Sequence, residues 1–131
     1  MELSIDYSGD SVRLSDLKLN VLKANQEIVR QGLVVYTFGN VSGIDREKGL
    51  VVIKPSGVDY DALKPDDMVV TDLDGDIIEG SLKPSSDLAT PLILYRAFPQ
   101  IGGIVHTHSE YATVWAQATK SIPSYGSSHA E

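Results

Sequence analysis

The sequence predicts one α/β or α+β domain built on a mixed or antiparallel sheet. Three observations carry that expectation. An amphipathic stripe near the N-terminus specifies a helix, and short apolar runs broken by turn residues specify strands. An Asp-Gly dipeptide then joins two of those strands as an antiparallel hairpin. A length of 131 residues suits one domain, and no internal repeat or long linker divides it.

Residues 1–12 are polar and unpatterned, and are read as a flexible N-terminus preceding a domain over 13–131. Leu14, Leu17, Val21, Ala24 and Ile28 recur at steps of three and four, the stripe of the first helix. Ser15 is its candidate cap, Asp16 suits its first turn, and Arg30 and Gly32 supply stop signals. Leu33 to Phe38 follows as an apolar, β-branched and aromatic strand running into Gly39. Leu50 to Ile53 is a second strand, bounded by Lys48-Gly49 and Lys54-Pro55-Ser56-Gly57. Met68–Leu73 and Asp76–Glu79 flank Asp74-Gly75, a dipeptide suited to a type I′ turn. Pro91 fits the first turn of a helix running through Phe98, where its missing N–H costs no hydrogen bond. Gly103 to His108 reads as a strand and Ser109 to Ala118 as a helix, with Trp115 and Tyr111 as its core and flank residues.

Composition narrows the function. Eleven Lys and Arg against eighteen Asp and Glu give a net charge of −7, so the chain lacks the basic clusters that nucleic acid or an anionic membrane requires. No run approaches the ~18 consecutive apolar residues of a membrane span, and the acidic start does not read as a secretory signal. Cysteine is absent, which excludes disulfides, thiolate nucleophiles and zinc–thiolate sites and suits a reducing cytoplasm. Asp59, Asp61, Asp66 and Asp67 read as solvated surface.

Two local patterns could carry chemistry. In Ile104-Val105-His106-Thr107-His108, strand alternation puts both histidines on one face with Cα atoms roughly 6.5–7 Å apart. Two imidazoles so placed can share a divalent metal, or can simply pack near a strand end. Zinc needs ~4 ligands, so oxygen donors such as Asp87, or ligands from outside the chain, would have to complete the set. The second pattern is three small-residue turns: Phe38-Gly39-Asn40-Val41-Ser42-Gly43, Lys54-Pro55-Ser56-Gly57 and Lys83-Pro84-Ser85-Ser86-Asp87. Their backbone N–H groups and hydroxyls could cradle an anion, and ordinary turn chemistry accounts for them equally. Asp87 can be read as a helix cap, a metal ligand or an acid/base group.

Taken in order, the segments TFGNVSGIDREKGLVVIKPSGVDY, KPSSD, FPQIGGIVHTHSEYATVWAQA and SIPSYGSSHAE resemble the L-ribulose-5-phosphate 4-epimerases of the class II aldolase/adducin superfamily. The resemblance runs from about Leu14 to the last residue. Ser85-Ser86-Asp87 is the epimerase form of a segment that reads Ser-Ser-Glu in the related sugar-phosphate aldolases. The resemblance implies α/β/α layers with a mixed, largely antiparallel central sheet flanked by helices. It implies that Gly39, Asn40, Ser56, Gly57, Ser85 and Ser86 hold the substrate, mainly its phosphate, with Lys54 beside them. His106 and His108 correspond to two zinc ligands and Asp87 to an aspartate of the metal site, where another divalent metal would also serve.

The implied reaction interconverts L-ribulose 5-phosphate and D-xylulose 5-phosphate by retro-aldol cleavage and aldol re-addition, with zinc as Lewis acid. A class II aldolase and a non-catalytic, adducin-like binding module are the alternatives. Glu131 stands where the family has an aspartate acid/base, one methylene shorter. Family members are longer: their third zinc histidine and a catalytic tyrosine have no counterpart, so the chain reads as an N-terminal portion. The resemblance further implies a cytoplasmic homotetramer acting on a small phosphorylated ketopentose.

Overall fold

The structure, a computed structural model, describes residues 13–126. Residues 1–12, read from sequence as flexible, and 127–131, which include His129 and Glu131, lie outside the described residues. Helix α1 (Leu14–Arg30) is followed by strands β1 (Asn40–Asp45), β2 (Leu50–Ile53), β3 (Val69–Thr71) and β4 (Ile77–Glu79). Helix α2 (Ala89–Ala97), strand β5 (Gly103–His106) and helix α3 (Glu110–Gln117) complete the order. Two single 3-10 turns, Tyr60–Ala62 and Pro65–Asp67, lie between β2 and β3. The strands form one sheet in the order β4-β3-β2-β1-β5, and every pairing is antiparallel. Of the mixed and antiparallel alternatives, the described residues form only the latter.

Strand alternation divides the core into two layers, one on each sheet face. Val41, Val52 and Val70 face α1, where Val21, Leu22 and Ile28 join them with Tyr60, Leu63 and Met68. Ile44 and Val51 face the other way, against Leu92 and Tyr95 of α2. The result is α1 on one face and α2 on the other, the α/β/α arrangement. Each fully buried Val, Leu or Ile contributes about 1.5–3 kcal/mol.

All six residues of β1 are buried although only Val41 and Ile44 are large apolar side chains. Its position explains this: β1 lies between β2 and β5 and is covered by both helices. Gly43 sits where a Cβ would lie 2.9 Å from Val21 Cγ2 and 3.0 Å from Leu17 Cδ1, so α1 rests directly on the strand. Asn25, fully buried in α1, donates to the carbonyls of Val21 (2.8 Å) and Val41 (3.0 Å) and accepts from the Val41 N–H (2.9 Å).

Several expectations are corrected. Ser15 is not the cap of α1: Arg13 holds that position without a side-chain bond, so Ser15 falls inside the first turn. The C-terminus behaves as expected, with Gly32 at φ 68° and the N–H groups of Gly32 and Leu33 donating to Val29 and Ile28. Leu33–Phe38 is not a strand. Its backbone turns sharply, with Phe38 N–H donating to Val35 and Tyr36 at φ 54°, a conformation no ladder accepts. The segment Asn40–Gly43, read as a turn, is instead the first part of β1.

The hairpin turn is also not type I′, which needs positive φ at two central residues. Only Gly75 has it, and Gly75 N–H donates to Asp72 while Asp72 N–H donates to Asp76. That is a three-residue loop in which the Asp72 carboxylate accepts from the N–H groups of Asp74 and Asp76 (2.9 Å each). In α3, Ser109, read as the first helical residue, is instead the cap, and the helix has no buried residue: Tyr111 is exposed and Trp115 only half-buried.

Candidate functional site

Antiparallel pairing gathers the chemistry at one end of the sheet. Asn40 opens β1 and pairs with His106 at the end of β5, while Lys54 leaves β2 beside them. Cross-strand partners share a face, so Asn40 and His106 both point to the α2 side. Asp87 lies just before α2, above the same end.

The repeated Lys-Pro-Ser has a structural meaning. Pro55 and Pro84 face each other in an isolated antiparallel bridge. Neither proline can donate, and the next residue does so in each strand. Ser56 N–H donates to Lys83 carbonyl at 2.9 Å and Ser85 N–H to Lys54 carbonyl at 3.0 Å. Two turns far apart in sequence thereby form one rim.

Asn40, almost fully buried, ties the rim to β1. Its Nδ2 donates to Asp87 Oδ2 at 2.8 Å and to Ser85 Oγ at 3.3 Å. Asp87 is therefore not the cap of α2, as its residue type had suggested: Leu88 occupies that position, and the carboxylate is drawn to the Asn40 amide. Gly39, beside it, leaves little room for a side chain. A Cβ there would stand 3.0 Å from Val34 Cγ2 and 3.3 Å from the His106 carbonyl.

A cleft of about 320 Å³ opens at this point. All seven residues singled out for substrate line it: Gly39, Asn40, Lys54, Ser56, Gly57, Ser85 and Ser86. Asp87 and His108 line it too. Lys54 is buried, and its Nζ donates to the Pro55 carbonyl at 3.2 Å. Desolvation pushes its pKa below the usual lysine value, with nearby Asp59 partly opposing the shift. An ammonium carries three donors, so this one can still serve an anion in the cleft.

The two histidines come together, with ring centroids 4.9 Å apart and nearly perpendicular planes. His106 Nε2 is buried without a hydrogen-bond partner and lies 3.7 Å from Asp87 Oδ2. Two imidazoles and a carboxylate are the donor types that borderline divalent metals take, and an orphaned ring nitrogen facing a carboxylate fits part of such a shell. Among the described residues, however, no three His, Cys, Asp or Glu side chains converge into a complete metal-binding group.

Residues 20–131 match the family described as Class II Aldolase and Adducin N-terminal domain. The chain belongs to that family. Within it, the chain is 58% identical over 118 residues to L-ribulose-5-phosphate 4-epimerase UlaF of Salmonella paratyphi C (strain RKS4594), a match covering 90% of this chain and 52% of the relative. The same identity and coverage hold for the protein of that name from Salmonella choleraesuis (strain SC-B67). The chain thus spans about half the length of the curated relatives it matches. Among solved structures, an L-fuculose 1-phosphate aldolase superposes with a TM-score of 0.76 at 40% identity, covering 81% of this chain and 50% of that one. The L-fuculose-1-phosphate aldolase of Thermus thermophilus does so with a TM-score of 0.61 at 30% identity, covering 77% and 50%.

Sequence reasoning gave no role to Thr37 and named Phe38 and Pro55 only as members of the small-residue turns, yet all three line the cleft. Phe38 stacks on His108 at 5.8 Å between centroids. Its place immediately before Gly39-Asn40 was the available signal. Tyr60, which touches both Gly39 and Lys54, closes the segment TFGNVSGIDREKGLVVIKPSGVDY, and that membership was its signal.

Proposed function

We propose that the protein carrying this chain is a divalent-metal-dependent epimerase that interconverts L-ribulose 5-phosphate and D-xylulose 5-phosphate. The observation that carries this reading is the meeting of the two Lys-Pro-Ser turns, Asn40, Asp87 and His108 at one cleft, with His106 against Asp87 just behind its lining, in a chain so similar to 4-epimerases. In this reading Ser56, Gly57, Ser85 and Ser86 hold the substrate phosphate through backbone N–H groups and hydroxyls, and the Lys54 ammonium balances its charge. Gly39 lets the backbone approach, and Asn40 orients Asp87. His106, His108 and Asp87 would supply part of the metal's ligand set, completed from outside the described residues; the metal, zinc by resemblance, would when bound polarise the ketose carbonyl.

Glu131 is proposed as an acid/base group on the sequence resemblance alone, since it lies outside the described residues. The chemistry requires proton transfer on both faces of the bound aldehyde, so a second group must complement it. A cytoplasmic homotetramer is proposed on the family resemblance. Among the described residues, no helix is long and apolar enough to cross a membrane.

The likeness to L-fuculose 1-phosphate aldolase favours one second reading, a lyase that releases its aldehyde. Product analysis separates the two. An epimerase converts one ketopentose phosphate into the other without net glycolaldehyde phosphate, and a lyase accumulates it. Epimerisation undiminished after complete metal removal would overturn the mechanism. Zinc titration followed by imidazole NMR supplies an independent readout, with His106→Ala expected to weaken binding at least tenfold.

A further inference from the structure

Tyr60 is almost fully buried below the cleft and plays no part in the reaction described above. It nevertheless touches two separate parts of the anion site. Its hydroxyl donates to the Gly39 carbonyl at 2.5 Å, across 21 positions of sequence. Its ring lies beneath the Lys54 ammonium, 4.7 Å from Nζ to centroid. Gln26 of α1 donates to the Tyr60 carbonyl at 3.3 Å, fixing the single 3-10 turn that carries the ring.

The two contacts have different consequences. The Gly39 carbonyl is held at the start of β1, next to Asn40, which orients Asp87 and Ser85. The ring face gives a buried ammonium a favourable electrostatic partner that accepts none of its protons, so the two N–H groups not given to the Pro55 carbonyl remain available to a ligand. A carboxylate in that place would neutralise Lys54 and compete with a phosphate for its protons.

We propose that Tyr60 is a positioning residue for phosphate: its hydroxyl sets the Gly39–Asn40 backbone and its ring holds the Lys54 ammonium in place at the cleft. The inference rests on the reading of the cleft as a phosphate site, and the test separates the two. Inorganic phosphate is titrated calorimetrically into the full chain and into Tyr60→Phe, Tyr60→Leu, Lys54→Met and the two Lys54→Met combinations. Tyr60→Phe keeps the ring and loses one hydrogen bond, a loss of about fivefold in affinity. Tyr60→Leu removes the ring as well and weakens binding about a further fivefold.

The decisive comparison is the step from Phe to Leu in the Lys54→Met background. There the ring has no ammonium to hold, and the step leaves phosphate affinity unchanged. A merely structural tyrosine would instead weaken binding equally in both backgrounds, and that result overturns the proposal. Phosphate binding by Tyr60→Phe and Tyr60→Leu equal to wild type overturns it too while leaving the phosphate site standing. Failure of the unaltered chain to bind phosphate overturns the site reading, and the role of Tyr60 falls with it. Tyr60→Phe retains the buried ring and so keeps the test open if Tyr60→Leu does not fold.

Discussion

Replacing Asn40 by aspartate changes one group and almost no volume, yet it places a second carboxylate against Asp87. The Asn40 Nδ2 atom is 2.8 Å from Asp87 Oδ2. Two unit charges at that separation repel by about 6 kcal/mol at an effective dielectric of ~20. Asn40 is almost fully buried, but the Asp87 side chain is about a third open to solvent, which roughly halves the figure to ~3 kcal/mol. The lost charge-assisted hydrogen bond adds about 1.5–3 kcal/mol.

Proton uptake limits the sum. A carboxyl with an ordinary value near 4 can be protonated at pH 7 for about 4 kcal/mol, and a shared proton restores a hydrogen bond between the pair. Asn40→Asp is therefore expected to lose about 3–4 kcal/mol at pH 7 relative to wild type. The sign with pH follows: the folded variant binds a proton that its unfolded chain releases, so its deficit shrinks as pH falls, by up to ~1.4 kcal/mol per unit. Asn40→Ala removes the donor without adding charge, and its smaller deficit of about 1–3 kcal/mol stays nearly constant. Urea melts of the three proteins at pH 7 and pH 5 measure this directly. An Asn40→Asp deficit equal at both pH values, or no larger than that of Asn40→Ala at pH 7, would refute the reasoning.

Other perturbations test the frame and the cleft. Asn25→Ala leaves the Val41 N–H and carbonyl unpaired beneath α1 and should cost about 2–4 kcal/mol in chemical denaturation. Gly39→Ala drives a Cβ towards Val34 and the His106 carbonyl, and should lower stability by about 1–3 kcal/mol while disturbing the His106 imidazole resonances. Lys54 has its pKa lowered by desolvation, so its ammonium is lost at a lower pH than the ordinary 10.5. Phosphate affinity should then weaken as pH rises through that depressed value, and Lys54→Met should abolish this limb. Stability has the opposite sign. Between the depressed folded value and the unfolded value the unfolded chain binds more protons, so the Lys54 contribution rises with pH across that window.

Local signals were legible where a segment's own pattern matched its final surroundings. The stripe from Leu14 to Ile28 became α1 because one face meets the sheet and the other meets water, and Leu50–Ile53 became β2 unchanged. The pattern misled where surroundings differed from the average. Asn40–Asp45 carries too many small and polar residues to look like a strand, yet it is buried on all six positions because both neighbours and both helices close over it. Leu33–Phe38 has strand composition, but its backbone reverses direction before a ladder can form.

The candidate site divides in the same way. Residue types, His106 and His108 two apart, small-residue turns and the order of the motifs were all readable along the chain, because each depends on neighbours in sequence. Sequence by itself determined the family resemblance, the acidic and cysteine-free composition, and which side chains could carry chemistry. Tertiary structure alone decided that Pro55 meets Pro84, that Asn40 rather than α2 takes the Asp87 carboxylate, and that Tyr60 lies under Lys54. Those contacts join residues 29, 47 and 6 positions apart, through a bridge, a buried amide and a ring face. Such pairings depend on the antiparallel order of the sheet and the helices packed on it, which no local pattern encodes.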